Sequence, residues 1–543
     1  MLKRILALLL CGCLIFVAAA CNSGSGDDKN NLSSGNYEGD DKDNSSSDNH
    51  KDNSSSGNKD NSSSGNKDNS SSGNNQSSST PVVGVPTLAP TNKYTDPSIY
   101  TIDTLVAMGV EKKRPTTAEI QSKAEALQKQ ILNTPDTFKP KSGGRYIYVA
   151  NGGVDGKGYG FAADKPFATI EYANLVAKAG DVVVLKRGHF WRTKVIGKEG
   201  VLYGAYGKGD KPTIYGALFT AAEKEWVMEK KNVYKVTSGT GTDIGLIVFD
   251  HGKAIGTKCN EMSWLSKDYD FYCSGGYVYV YSSKGNPAKL FKDIEICPTA
   301  HIVKIESDSG IQNWRIMYGG AHGIKMSNVK NVKFDGCVVG YIGGGFQSGT
   351  GDRVLRYGNG IEVYGGCDGY TITNCHVFQC YDAGVTMQHI DSGDNFVKEH
   401  NILFENNLLE LNNYNIEYFV TGESTYKNVA IKNNIIRAGG YGWGFYSRGD
   451  RDYGTNIMGG GTNFSENFVY TNNIFEHAKT LMMTVGGRTV NDVPKFVGNT
   501  FAMYYNIDRA FEYREEKHYF NRHGRDIFKT VIGDKTANVI FYY

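Results

Sequence analysis

RYIYVANGGVDGKGYGFAADKPFATIEYANLVAKAGDVVVLKRGHFW, Arg145–Trp191, decides the architecture of this chain. It opens on an alternating run (YIYV), crosses a loop rich in Gly and Asp, and enters a helical stretch over about 167–178. It then closes on the apolar run DVVVLKRG. β-Branched and aromatic runs bounded by turn residues read as strands, so the order is strand, loop, short helix, strand.

Downstream, short β-type runs recur with an asparagine at each turn: YTITNC, ILFENN, VAIKNN, VYTNN and FVGNT. The asparagines are Asn374, Asn406, Asn433, Asn472 and Asn499, 27 to 39 residues apart. A leucine-rich repeat has a tighter leucine period and a propeller has longer blades. One solenoid coil per repeat, with loops of varying length, fits the spacing. Asparagines stacked coil on coil can bond one another and satisfy turn backbone, so they are assigned a structural role.

The YIYV strand, its glycine loop, PFATI and GDVVVLKRGHF resemble the opening of right-handed parallel β-helix proteins of the pectate-lyase superfamily. VLYGAYGKGDKPTIYG, Val201–Gly216, is similar to their first coils. The resemblance runs from about Gly144 to the C-terminus and implies an all-β, right-handed parallel β-helix. That superfamily hosts lyases, hydrolases, epimerases and phage tailspikes, so no reaction follows from it.

Outside this body the chain changes character. Residues 1–21 have a basic start (Lys3, Arg4), an apolar run and small residues ending AAAC, as in a bacterial lipoprotein signal with Cys21 as the lipidation site. Residues 22–93 are mostly Ser, Asn, Asp, Gly and Lys, with KDNSSSGN repeated from Lys51, and have too little apolar surface to offset ordering. They read as a flexible tether. Residues 94–140 hold one helical stripe (Ile120, Ala124, Leu127, Ile131), introduced by Thr116 and Glu119 as a capping box. This helix is expected to cap the solenoid formed by residues 141–543.

With 59 basic and 57 acidic residues the formal charge is +2, which excludes a basic footprint for nucleic acid. The expected membrane association is through the lipid anchor alone. Seven cysteines remain beyond the signal, scattered and without a CxxC pair, so neither a zinc site nor a disulfide framework is read from them. DYDFYCSGGYVYVYSSKGNP lies in a less regular piece between about 244 and 297 and suggests a small β-insert, its hairpin turning at Gly275–Gly276.

NGIEVYG (Asn359–Gly365) and YNIEYF (Tyr414–Phe419) echo one another. Aligning HGIKM, NGIEV, AGVTM, YNIEY, WGFYS, TLMMT and RAFEY puts Ile361, Val363, Ile416 and Tyr418 toward the core. Lys325, Glu362, Thr386, Glu417, Tyr446, Met483 and Glu512 then form an outward column, with Tyr364, Gln388, Phe419 and Arg448 two residues on. Parallel strands lie about 4.8 Å apart, so Glu362 and Glu417 fall roughly 10 Å apart at the backbone. Side chains leaning together reach the roughly 6.5–9.5 Å of an inverting glycosidase more readily than the roughly 5–5.5 Å of a retaining one.

Glu362 and Glu417 are therefore the expected acid–base pair. Lys325, Tyr364, Asp382, Thr386, Gln388, Phe419, Tyr446 and Arg448 are the expected sugar contacts, and no cofactor is required. Outward glutamates are also ordinary solubilising residues, and Lys325 or Arg448 could pair with them. A lyase acting on a uronic-acid polymer is the alternative: Lys325, Arg437, Arg448 or Arg451 would take the proton, and Ca²⁺ could sit in DSGDN, Asp391–Asn395. A dense Asp cluster for Ca²⁺ and the paired-Asp, GHG signature of polygalacturonases are both missing. AHGI at Ala321 is a partial echo, and its His322 is expected to turn inward with Ile324. A glycan-binding surface protein without turnover is the third reading.

Overall fold

The computed structural model describes residues 118–347, 355–390, 396–448, 453–461, 463–504, 510–520 and 522–542. The signal, Cys21, the tether, the loop 391–395 and Arg451 lie outside these residues. Among the described residues no helix is long and apolar enough to cross a membrane.

The described chain winds as a right-handed parallel β-helix. The first coil pairs Tyr146–Val149 with Val182–Lys186, which pairs in turn with Leu202–Tyr206, all parallel. From there each strand pairs in register with the strand one coil on, in sheets of 18 and 10 strands. Long strands serve two sides of the coil. Ile361–Thr373 bends at Gly365 and Gly366, whose φ values of 91° and 93° favour glycine. A Cβ on Gly366 would stand 3.1 Å from the Lys398 carbonyl.

The interior is one continuous apolar column from Ile147 to Ile532. Inside it the asparagines form a second ladder one residue beyond the expected one. Asn407 Nδ2 donates to Asn434 Oδ1 at 2.9 Å, Asn434 to Asn473 at 2.9 Å, and Asn473 to Asn499 at 3.1 Å. Of the expected set, only Asn499 belongs to that stack. Asn374, Asn406, Asn433 and Asn472 instead take φ of 50–57°, the left-handed turn position that asparagine tolerates.

The helix Ala118–Leu132 covers the flank of the solenoid. Its segment reaches several coils: Gln121 accepts from Arg437 at 3.0 Å, Gln130 donates to Asn374 at 3.2 Å, and the Thr134 carbonyl accepts from Asn313 at 2.9 Å. The first coil is packed by a different helix, Ile170–Val176, with Ile170 and Ala173 buried. The insert begins earlier than expected: strands from Leu218–Phe219 to Ile294–Pro298 form two further sheets. Its hairpin Asp270–Ser274/Tyr277–Tyr281 turns at Gly275–Gly276, both at positive φ. All seven cysteines of the described chain are free, and six are buried.

Candidate active site

Eight strands carry the outward column, numbered here in chain order: β1 (Val303–Lys304), β2 (Ile324–Asp335), β3 (Ile361–Thr373), β4 (Ala383–His389), β5 (Tyr414–Val420), β6 (Thr455–Gly461), β7 (Met483–Val485) and β8 (Ala510–Tyr513). Register sets Lys304 beside Lys325, Lys325 beside Glu362, Thr386 beside Glu417, Glu417 beside Met458, Met458 beside Thr484, and Thr484 beside Glu512. Ile361 pairs with Val385 and Tyr364 with Gln388, so Thr386 is the rung between the two glutamates. Ile361, Val363, Ile416 and Tyr418 point into the core, as expected.

Glu362 and Glu417 are thus two rungs apart on one outer face, but neither is solvated: they are only 4% and 9% exposed. Thr386 is fully buried. Its hydroxyl accepts from the Val363 N–H at 3.2 Å and lies 3.3 Å from the Val363 carbonyl. That links it to the backbone next to Glu362. Lys325 is half-buried.

The second row runs Ser327, Tyr364, Gln388, Phe419, Gly460. Tyr364, Gln388 and Phe419 are partly exposed. A Cβ on Gly460 would meet the Phe419 ring at 3.1 Å. The Phe419 ring therefore lies against the bare backbone of Gly460, in the space a side chain there would need.

Four expectations are corrected, at Tyr446, Met483, Arg448 and His322. Tyr446 lies on the short helix Trp443–Ser447, is 42% exposed, and leaves its rung to Met458. Met483 faces the core, and Thr484 takes the outward place. Arg448 follows that helix instead of standing on a strand. Its guanidinium is buried, lies 4.5 Å over the Tyr381 ring, and holds Asp382 at 2.7 Å, so these two expected sugar contacts engage each other. Among the lyase candidates, Arg437 is buried on the flank, bound to Glu410 at 2.6 Å.

His322 does not turn inward beside Ile324. Its Nε2 lies against Glu362 Oε2, and its Nδ1 accepts the Asn359 N–H at 3.1 Å. One rung earlier, His301 Nδ1 accepts the His322 N–H at 3.3 Å; one rung later, Asn359 Oδ1 accepts the Ala383 N–H at 3.0 Å. The two imidazoles stack at 5.0 Å with only 2° between planes, and Tyr357 stands edge-on to both. Burial, helped by His322 and nearby lysines, pushes His301 down to about 2, so its ring is neutral at physiological pH.

Sequence reasoning missed His301 and Tyr357. A signal was present for the first: HIVK (301–304), HGIK (322–325) and NGIE (359–362) are the same tetrad on successive coils. Among the described residues no group of three or more His, Cys, Asp or Glu side chains could hold a metal ion.

No protein-family model and no curated protein matches this chain. Solved structures resemble it at low identity. A structure of XylC with xylose has 13% identity and a TM-score of 0.39, covering 68% of this chain and 70% of that one. Pectate lyase Pel9A has 10% identity and a TM-score of 0.40, covering 69% and 74%. An alginate lyase from Paenibacillus sp. has 10% identity and a TM-score of 0.34, covering 74% and 98%.

Proposed function

We propose that this protein is an extracellular carbohydrate-active enzyme, held at the cell surface by a lipid on Cys21, that hydrolyses a polysaccharide. The carrying observation is the placement of Glu362 and Glu417 on one outer column, two rungs apart, beside the row Tyr364, Gln388, Phe419 and Gly460. A sugar chain laid along that row would bring a glycosidic bond over the Thr386 rung. One carboxylic acid would protonate the leaving oxygen while the other carboxylate deprotonates an attacking water. Hydrolysis of this kind requires no cofactor.

Elimination on a uronic-acid polymer is a second reading, favoured by Lys304 and Lys325 on adjacent rungs next to Glu362. A lysine there would serve as base, with Ca²⁺ or cationic side chains neutralising the substrate carboxylate.

Incubation with xylans, pectins, alginate and host glycans separates the two. Reducing ends and the absorbance of unsaturated products are followed in the same tubes. New reducing ends without the chromophore support hydrolysis. Both signals together transfer the chemistry to Lys325, and neither signal on any polymer leaves glycan binding.

A further inference from the structure

His322 is the buried titratable group that the two-glutamate scheme leaves without a task, and its surroundings are unusually well fixed. Nδ1 is occupied by the Asn359 N–H, so the ring's proton resides on Nε2, the atom in contact with Glu362. The ring cannot tilt freely, because His301 stacks on one face and Tyr357 meets its edge. His301 is itself held by the same backbone device one rung earlier. Glu362 also has Lys325 on the adjacent rung.

Resting on the hydrolase reading above, we propose that His322 is the positioning residue that fixes Glu362 as the water-activating base and thereby leaves Glu417 as the proton donor. Its Nε2–H faces Glu362 Oε2, a buried oxygen that no hydrogen bond occupies, and would give the carboxylate a donor there, leaving the other oxygen to face the attacking water. The water O–H proton passes to Glu362 while the water oxygen bonds to the anomeric carbon. The glycosidic C–O bond breaks, and the leaving oxygen takes the proton of Glu417. One water is consumed, and the two carboxyl groups exchange protonation states until solvent resets them.

The test compares His322→Gln with His322→Phe in the full chain, on whichever screened polymer releases reducing ends. Glutamine can accept the Asn359 N–H and donate to Glu362; phenylalanine keeps the stacking and does neither. The expected result is a loss of about a hundredfold in kcat at nearly constant KM for phenylalanine, with most of it recovered by glutamine. Adding His322→Phe to Glu362→Gln should cost nothing further, since both act through one group.

An undiminished kcat in His322→Phe, or losses that multiply in the double variant, would overturn the proposal. If the phenylalanine variant does not fold, ¹⁵N spectra of the wild-type histidines decide: a proton on Nε2 of His322 sustains it and one on Nδ1 overturns it. Failure of the underlying reading has a separate signature, because Glu362→Gln and Glu417→Gln would then both retain full turnover.

Discussion

Cys367 Sγ and Glu399 Oε2 meet at 3.0 Å inside the solenoid, where Glu399 is fully buried. The thiol donates to the carboxyl, and burial raises Glu399 to about 8. The unfolded chain would release that proton near 4.5, the ordinary value. The native state therefore binds the extra proton between about 4.5 and 8, and its stabilising effect fades as pH rises through that window.

Glu399→Gln tests this directly. Wild-type stability should fall across the window with a slope approaching about 1.4 kcal/mol per pH unit from this one group, and the variant should lose that slope. Denaturant midpoints at pH 5 and pH 8 are the measurement. An identical pH dependence in the two proteins would show that Glu399 ionises normally.

The interior asparagine ladder should be costly to interrupt. Asn434 donates to the Phe404 carbonyl and to Asn473, and it accepts from the Asn407 backbone and side chain. Asn434→Ala would strand several buried groups at once and is expected to destabilise by about 3 kcal/mol, read by chemical denaturation. Asn433→Ala next door involves an exposed side chain at φ 57° and should cost less, about 1 kcal/mol.

On the flank, Arg437 neutralises Glu410, which also contacts His376 at 2.9 Å, and donates to Gln121 of the N-terminal helix. Arg437→Met would take the guanidinium away from two buried carboxylates, Glu410 at 2.6 Å and Glu476 at 3.7 Å, at a cost of about 3–5 kcal/mol. Limited proteolysis should also cut around the helix Ala118–Leu132 sooner, because the helix loses one of its polar contacts.

On the row of Tyr364, Gln388 and Phe419, Gly460→Ala should raise KM several-fold on a cleaved polymer while leaving kcat nearly unchanged, because the new methyl would displace the Phe419 ring. Phe419→Ala should raise KM by about tenfold, the loss of one stacking surface. Equal KM values in both variants would place the sugar elsewhere.

Much of this was legible in the sequence because a strand's two-residue period assigns faces directly. It correctly set Glu362, Thr386, Glu417 and Glu512 on one column and Ile361 and Tyr418 inside. It failed where the chain leaves the repeat. WGFYS has a strand-like look but forms a helix, and the strand that replaces it, TNIMGGG, carries almost no apolar signal. TLMMT slipped by one residue, which exchanges the faces of Met483 and Thr484. The burial of the two glutamates was hidden as well. For Glu362 it involves His322, a neighbour from the preceding coil that only the winding brings alongside.

The most direct measurement is turnover and binding of Glu362→Gln and Glu417→Gln on the polymer that the wild-type protein cleaves. Both carboxamides keep the size of the side chain and remove its proton chemistry. The account predicts that kcat falls by at least about a hundredfold in each while the polymer is still bound. Full turnover in both variants would contradict it.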